Sequence, residues 1–347
     1  MQSLPAQFTT TVPKELVHRA AVAEVLLTRW LRHDASHFSA SAQWPRGHSF
    51  FKSPDGVHYD SMLVAETIRQ VSTLIAHAEF DVPLTSHSLM GDLDYTADLD
   101  LLKVGGTPAD LELSVTCTEI RRTGGQVSKI RFDVVFFRDG RQAASGSAVA
   151  AFIRPEVYRR VRGDRLSTTR AELPLLTPVA PRLVGRYSGD DVVLAPSGDQ
   201  QRWLLRADTR HPILFDHPGD HIPGMVLLEA ARQAARVLVP AGASVSSTVN
   251  IFERYVEFDA PCWIEAREEP SGDLGTRQVS VRAEQYGRTA FTNTITVPVS
   301  TEPAAAPLPV PTPLPIPAPR AADRPVAARP AAALLANGAT ARQLANA

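Results

Sequence analysis

The chain has 347 residues, of which 44% are hydrophobic and 21% are charged, and its formal net charge is -1. This composition is typical of a soluble globular protein, and the charge balance excludes a global attraction to nucleic acid or to an anionic membrane surface. No run of about 18 apolar residues exists, so we predict no membrane-spanning helix. With two cysteines and no signal-peptide pattern at its start, the sequence predicts a cytoplasmic protein.

The first half, predicted to span 10–154, has the pattern of one strand, a loop, one long helix and then several strands. Apolar residues recur near helical spacing over 59–79, which predicts an amphipathic helix. The stretches that follow alternate and are rich in β-branched residues, and they predict strands over 110–120, 126–140 and 146–155. A connector rich in Arg and Pro, 155–180, is expected to run over the surface.

The second half, predicted to span 181–299, repeats this order. Pro223 can open a helix over 223–239, because the first turn of a helix leaves its amides unpaired in any case. Strands are predicted over 253–268, 276–289 and 290–299. From 300 to 347 Pro and Ala dominate and aromatic residues vanish, so this segment is predicted to be a disordered tail.

The two halves align with each other. Placing 48–77 over 211–240 needs no gap and gives a constant offset of 163 residues. The identical pairs are His48 with His211, Gly56 with Gly219, His58 with His221, Met62 with Met225, Glu66 with Glu229, Arg69 with Arg232 and Gln70 with Gln233. A weaker match places 16–27 over 183–194, and together they indicate a duplicated domain. One helix followed by a curved antiparallel sheet, present twice, is typical of the hotdog fold, so the sequence predicts an α+β double hotdog.

A Glu-x-x-Arg-Gln pattern lies on the helix of each half. Its spacing places the three side chains on one helix face, and the two trios are Glu66, Arg69, Gln70 and Glu229, Arg232, Gln233. A carboxylate can orient or deprotonate a hydroxyl, and an arginine offers a planar fork to phosphate or carboxylate. The alternative is a solvated face or an internal Glu–Arg pair, and the recurrence of the trio weakens it.

The loop before the second helix adds further candidates. Gly224 brings a backbone N–H to the positive end of the helix, where it can polarise a carbonyl oxygen. His217 and His221 are candidate bases, with hydrogen-bonded structural histidines as the alternative.

A metal site is the rival interpretation of this loop. Four of its side chains are suitable ligands, namely Asp216, His217, Asp220 and His221. Their spacing matches no strong zinc signature, and the first half keeps only His58 of the set. We therefore predict no metal.

These residues carry a resemblance to a known family. The stretch "DHPGDHIPGMVLLEAARQA" (216–234) closely resembles the A-factor biosynthesis hotdog family, and "HSFFKSPDGVHYDSMLVAETIRQV" (48–71) is similar to the N-terminal repeat of that family. A more distant resemblance is to the β-hydroxyacyl-ACP dehydratases, whose loop and helix have the form H-F-P-G…P-G-V-L…E-A. The resemblance covers about 10–299 and does not include the tail.

The resemblance implies an acyltransferase. Members of the A-factor family join a β-ketoacyl group, carried on acyl carrier protein, to the hydroxyl of dihydroxyacetone phosphate. The product is a phosphorylated β-ketoacyl ester, a precursor of γ-butyrolactone signalling molecules. Acyl carrier protein and dihydroxyacetone phosphate are the implied partners, and no metal or organic cofactor is implied. The acyl chain, the final signal and further oligomerisation are left open.

The resemblance also implies roles for the candidate residues. Glu229 or Glu66 would orient or deprotonate the hydroxyl, Arg232 or Arg69 would hold the phosphate, and the Gly224 amide would polarise the thioester carbonyl. The remaining candidates are His217 and His221 as secondary catalytic residues, and Gln233, Gln70 and His58 in substrate binding.

The dehydratase resemblance implies a pairing across the pseudo-twofold axis. In that class the catalytic histidine comes from one hotdog and the acidic residue from its partner, which would make His217 face Glu66. The first-half loop departs from this pattern because Pro54 replaces the histidine. The two sites are therefore expected to be unequal, and the sequence leaves open which half is active.

Two other classes of function are compatible with these patterns. One is a hydratase, dehydratase or thioesterase on the same fold, which needs no phosphate-binding arginine. The other is a non-catalytic acyl-binding module, in which replacing Glu229 would leave function intact.

Overall fold

The computed structural model describes residues 9–51, 53, 56–166, 174–240 and 243–298. The predicted disordered tail, 300–347, lies outside the described residues. Within the described ranges, no helix is long and apolar enough to cross a membrane.

The first repeat contains six strands and one long helix. In chain order these are β1 (Leu27–Arg32), β2 (His37–Trp44), α1 (Met62–Glu79), β3 (His87–Ala97), β4 (Ala109–Thr123), β5 (Gln126–Arg138) and β6 (Arg141–Ile153). A short helix follows, α2 (Pro155–Arg162).

The second repeat has the same order of elements. They are β7 (Leu194–Pro196), β8 (Arg202–Leu205), α3 (Gly224–Leu238), β9 (Ser247–Phe252), β10 (Trp263–Glu269), β11 (Thr276–Gln285) and β12 (Arg288–Pro298). Two equivalent 3₁₀ turns precede the first strands of the repeats, at Lys14–Val17 and Pro181–Val184.

All of these strands belong to one antiparallel sheet of 12 strands in the order β1-β2-β4-β5-β6-β3-β9-β12-β11-β10-β8-β7. The second half of this order is the mirror image of the first, as a duplicated domain requires. The repeats join where β3 pairs with β9, from Asp92 opposite Ile251 to Thr96 opposite Ser247. The predicted α+β double hotdog is thus confirmed.

Each helix packs on the inner face of its own half of the sheet. Most side chains of α1 are buried, including Leu63, Ile68 and Leu74, each 0% exposed. α1 contacts β3 and β6 of its own repeat, and α3 contacts β10, β11 and β12 of the second repeat. This burial explains the near-helical recurrence of apolar residues in both segments.

Three predictions about the elements were wrong. Each repeat has two strands before its helix rather than one, and β3 and β9 were not predicted. The stretch 253–262 is irregular rather than a strand, because Pro261 lacks an amide donor and nearby backbone groups bond outside the ladder, as Val256 O does by accepting from Ile222 N. The start of the connector does not simply run over the surface, since Tyr158 and Arg162 of α2 are buried.

Candidate active site

The first Glu-x-x-Arg-Gln trio forms a buried ionic cluster. Glu66 is 1% exposed and accepts hydrogen bonds from Arg69 Nε at 2.9 Å and from Gln70 Nε2 at 2.7 Å. A second guanidinium, that of Arg19, donates to the same carboxylate from Nε at 3.0 Å. Two cations and an amide therefore hold one carboxylate.

The second trio repeats this cluster. Glu229 is 0% exposed and accepts from Arg232 Nε at 2.9 Å and from Arg186 Nε at 2.7 Å. Gln233 Nε2 also donates to Glu229. The alternative of a solvated helix face is therefore wrong, and the alternative of an internal Glu–Arg pair describes what is observed.

The two glutamines tie the helices to the backbone just before β1 and β7. Gln70 accepts from Leu26 N at 2.9 Å and donates to Glu24 O at 2.8 Å. Gln233 makes the equivalent pair of bonds in the second repeat. Both amides are thus fully used in holding the fold.

The arginines that complete each cluster were missed in the analysis of the sequence. Arg19 also donates from Nη1 to Ile213 O at 3.1 Å, and Arg186 donates to Phe50 O, so each guanidinium reaches the pre-helix loop of the other repeat. The signal was present, because the match of 16–27 with 183–194 pairs these two arginines.

Both buried glutamates are strongly ionised. Burial alone disfavours the charged carboxylate, but Arg19 and Arg69 outweigh it and lower the pKa of Glu66 to about 2. In the same way Arg186 and Arg232 overcome burial and lower the pKa of Glu229 to about 2. Guanidinium and amide donors engage both oxygens of each carboxylate, so the geometry favours a positioning role for both.

The pseudo-twofold axis relates two cavities of very different size. The large one has a volume of about 1000 Å³ and lies between α1, the loop before α3 and the segment after β9; Arg19 and Arg69 line it. The equivalent cavity of the other half measures only about 40 Å³, and Arg232 lines it. Of these two cavities, the one beside the first-helix cluster has room for a substrate.

Different residues at the helix starts accompany this asymmetry. In the small cavity, Asp60 Oδ1 accepts from the first amide of α1, Met62 N, at 3.0 Å. The equivalent residue in the large cavity is Pro223, and no side chain caps the start of α3. A carboxylate thus pairs with the first amide of α1, whereas the N-cap residue of α3 supplies no side-chain acceptor at the positive helix end.

Gly224, the first residue of α3, lines the large cavity. A Cβ added there would lie 3.1 Å from Cε1 of Phe252, so the ring packs directly on the glycine. The residue therefore permits a close approach between α3 and the end of β9.

His217 lies at the large cavity beside the Glu66 cluster, with 57% of its side chain exposed. Its neighbour Asp216 is fixed by the amide of Ala20 at 2.6 Å, and it lies 4.0 Å from Arg19 and 3.6 Å from His217 Nδ1. The loop of the second repeat thus meets the carboxylate cluster of the first.

His221 lines the same cavity but is more strongly restrained. Its Nδ1 bonds to Asp220 at 2.8 Å, and Asp220 also accepts from Tyr158 at 2.8 Å and from Arg162 at 2.8 Å. His87 stacks on Tyr158 with ring centroids 3.6 Å apart. Asp216 and Asp220 therefore belong to separate clusters, and in the described ranges no three metal-binding side chains converge.

The structure does not bring His58 to this site. The residue forms an isolated β-bridge with Lys103 and is not among the side chains lining the large cavity. Of the predicted residues, the large cavity gathers Arg69, His217, His221 and Gly224, and Glu66 lies directly behind Arg69. Glu229, Arg232 and Gln233 cluster on the side of the small cavity.

Among the side chains that line the large cavity and were not predicted are His18 and Arg254. His18 follows the first 3₁₀ turn, and its backbone has a positive φ of 51°. Arg254 follows β9 and is exposed, and in the part of the chain that is described its guanidinium makes no hydrogen bond or ion pair. The alignment of 16–27 with 183–194 holds a signal for His18, since it pairs this histidine with Gly185. We find no sequence signal for Arg254.

A family model and two relatives that share one name match most of this chain. The model of the A-factor biosynthesis hotdog domain matches residues 1–154 and 167–300. A 2-oxo-3-(phosphooxy)propyl 3-oxoalkanoate synthase of Streptomyces virginiae is 48% identical over 82% of this chain and 96% of the relative. A synthase of the same name from Streptomyces coelicolor is 43% identical over 83% of this chain and 91% of the relative. Among solved structures, the 12:0-ACP thioesterase of Umbellularia californica is similar at 10% identity, with a TM-score of 0.48 over 78% of this chain and 100% of that one.

Proposed function

This chain belongs to the A-factor biosynthesis hotdog family, and we propose that it has the activity of its relatives, the synthesis of a 2-oxo-3-(phosphooxy)propyl 3-oxoalkanoate. The substrates are a β-ketoacyl thioester on acyl carrier protein and dihydroxyacetone phosphate, and the product is a precursor of a γ-butyrolactone-type signal. The chain works in the cytoplasm.

The observation that carries this proposal is the unequal pair of cavities. The large cavity combines an uncapped helix start, a histidine loop from one repeat and a buried ionic cluster from the other. Its volume of about 1000 Å³ is large enough for an acyl chain with a second substrate. One working site per chain follows, and it uses α1 and the loop before α3.

The reaction is a direct acyl transfer. The hydroxyl oxygen of dihydroxyacetone phosphate attacks the thioester carbonyl, a C–O bond forms, the C–S bond breaks, and the hydroxyl proton ends on the departing thiol. A thioester is already activated, so the site has to position the reactants, accept a proton and stabilise an oxyanion. Burial raises the pKa of the thiols of Cys117 and Cys262 to about 12, which fits a mechanism without a cysteine nucleophile.

The start of α3 is the proposed oxyanion site. Pro223 precedes the helix without a side-chain cap, and Gly224 faces the cavity, so backbone N–H groups at the positive helix end are directed towards the substrate. The tetrahedral intermediate carries its negative charge on the former carbonyl oxygen, which these groups stabilise.

Two arginines contribute to phosphate binding in different ways. The guanidinium of Arg69 donates to Glu66 and, from Nη1, to Val17 O at 3.2 Å, so it supplies positive charge rather than an open fork. Arg254 is exposed at the cavity and makes no ion pair among the described residues, so its fork is open to a phosphate. We assign direct phosphate contact to Arg254.

The test is mass spectrometry of the purified protein with a β-ketoacyl thioester and dihydroxyacetone phosphate. The proposal predicts a phosphorylated ester whose formation needs both substrates. Free acid or an enoyl product without dihydroxyacetone phosphate would instead indicate a thioesterase or a dehydratase. Tight thioester binding without turnover across several chain lengths would indicate an acyl-binding module.

A further inference from the structure

His18 occupies an unusual position at the edge of the large cavity. It caps the 3₁₀ turn Lys14–Val17 with φ 51° and ψ 51°, the left-handed region that residues with a Cβ rarely adopt. Its equivalent in the second repeat is Gly185, which caps Pro181–Val184 with φ 70° and ψ 29°. The second repeat thus has glycine, which suits this backbone, whereas the first repeat has a histidine that lines the large cavity.

A relay of hydrogen bonds determines which nitrogen of His18 carries a proton. His77 Nδ1 lies 2.6 Å from Val82 O, and a carbonyl oxygen can only accept, so this nitrogen is protonated. In a neutral ring the Nε2 of His77 then has a lone pair. His18 Nε2 lies 2.7 Å from that atom and must donate to it. The proton of His18 is thus on Nε2, and its Nδ1 is left with a lone pair.

The surroundings disfavour a positive charge on His18. In the described part of the chain, no carboxylate hydrogen-bonds to either imidazole and Nδ1 of His18 has no hydrogen-bond partner. Burial, together with His77, Arg69 and His217, lowers the pKa of His18 to about 3. The lone pair is therefore available throughout the neutral range.

The pair is confined to one repeat. The match of 48–77 with 211–240 pairs His77 with Pro240, and the match of 16–27 with 183–194 pairs His18 with Gly185. The repeat that has this relay is also the one whose helix borders the large cavity. The coincidence of the two asymmetric features points to a function in the reaction rather than in folding.

We propose that Nδ1 of His18 is the proton acceptor of the acyl transfer, an inference that rests on the proposed function. It accepts a hydrogen bond from the hydroxyl of the acceptor substrate and takes the proton as the C–O bond forms, when that proton becomes strongly acidic. The same proton then passes from His18 to the thiolate that leaves when the C–S bond breaks.

The test replaces His18 by the residue of the other repeat. His18→Gly suits the left-handed backbone, so its fold is expected to be preserved, and thermal unfolding checks this. We expect its kcat for ester formation to fall by about 100-fold or more, with KM for dihydroxyacetone phosphate little changed. Imidazole added to the solution should restore part of the rate. His33→Ala, at an exposed histidine outside the cavity, is the matched control and should retain full activity.

The outcomes separate the two claims. If the parent protein forms no ester, the proposed function itself fails. If the parent is active and His18→Gly keeps its kcat, or loses it without any rescue by imidazole, the role of His18 as proton acceptor is overturned. A nitrogen NMR spectrum that places the proton of His18 on Nδ1 would also contradict the inference.

Discussion

At the scale of single residues, recurrence within the chain marks structure as strongly as it marks chemistry. The trio that is identical in both repeats holds buried charges and the backbone before the first strands. His211, identical to His48, is also structural, since its Nδ1 accepts from the amides of Ile213 and Leu214. The residues that line the large cavity and have no counterpart, such as His18, are better guides to the reaction.

Glu66→Gln should lower the free energy of unfolding by about 3 to 5 kcal/mol, because it removes the buried carboxylate that pairs with both Arg19 and Arg69. The pKa of Glu66 is about 2 in the folded chain against a usual 4.5. Its stabilisation is therefore fully present above pH 4.5 and is lost as the pH falls towards 2. Denaturant unfolding of both proteins over this range checks the prediction.

The matched measurement is Glu229→Gln, which should behave in the same way because Arg186 and Arg232 are equivalent partners and lower the pKa of Glu229 to about 2 as well. A stability difference between parent and variant that stays constant from neutral to acidic pH would contradict the ionic interpretation of the cluster.

At the scale of elements, the two helix starts explain why equivalent segments have different functions. α1 begins beside Asp60, which satisfies an amide, and α3 begins at Pro223 and Gly224, which do not. The sequence supported the helices and most strands because their apolar periodicity is local. It failed for the irregular segment after β9, since the use of those backbone groups depends on loops distant in the chain.

Gly224→Ala should reduce kcat for ester formation by at least about 10-fold, because a Cβ 3.1 Å from the Phe252 ring forces the helix start away from the substrate. Overpacking should also cost about 1 to 3 kcal/mol of stability. Steady-state kinetics and thermal unfolding measure the two effects. A kcat equal to that of the parent protein would contradict a role for the start of α3 in the reaction.

At the scale of the whole molecule, duplication has produced one sheet with two sites of unequal size. The internal alignment predicted the double hotdog, the two trios and the inequality of the sites. Each of these follows from residues that are identical or different at matching positions of the two repeats. It did not predict which half is active. That depends on packing around Arg69 and Arg232, whose local sequences are alike but whose cavities measure about 1000 and 40 Å³.

The central claim, one working site at the large cavity, is tested most directly by comparing Arg69→Gln with Arg232→Gln. Both substitutions remove the positive charge of an arginine that pairs with a buried glutamate three residues earlier. The measurement is kcat/KM for ester formation by protein shown to be folded. We predict a large loss for Arg69→Gln and near-parental activity for Arg232→Gln. Equal losses, or a loss confined to Arg232→Gln, would contradict the account.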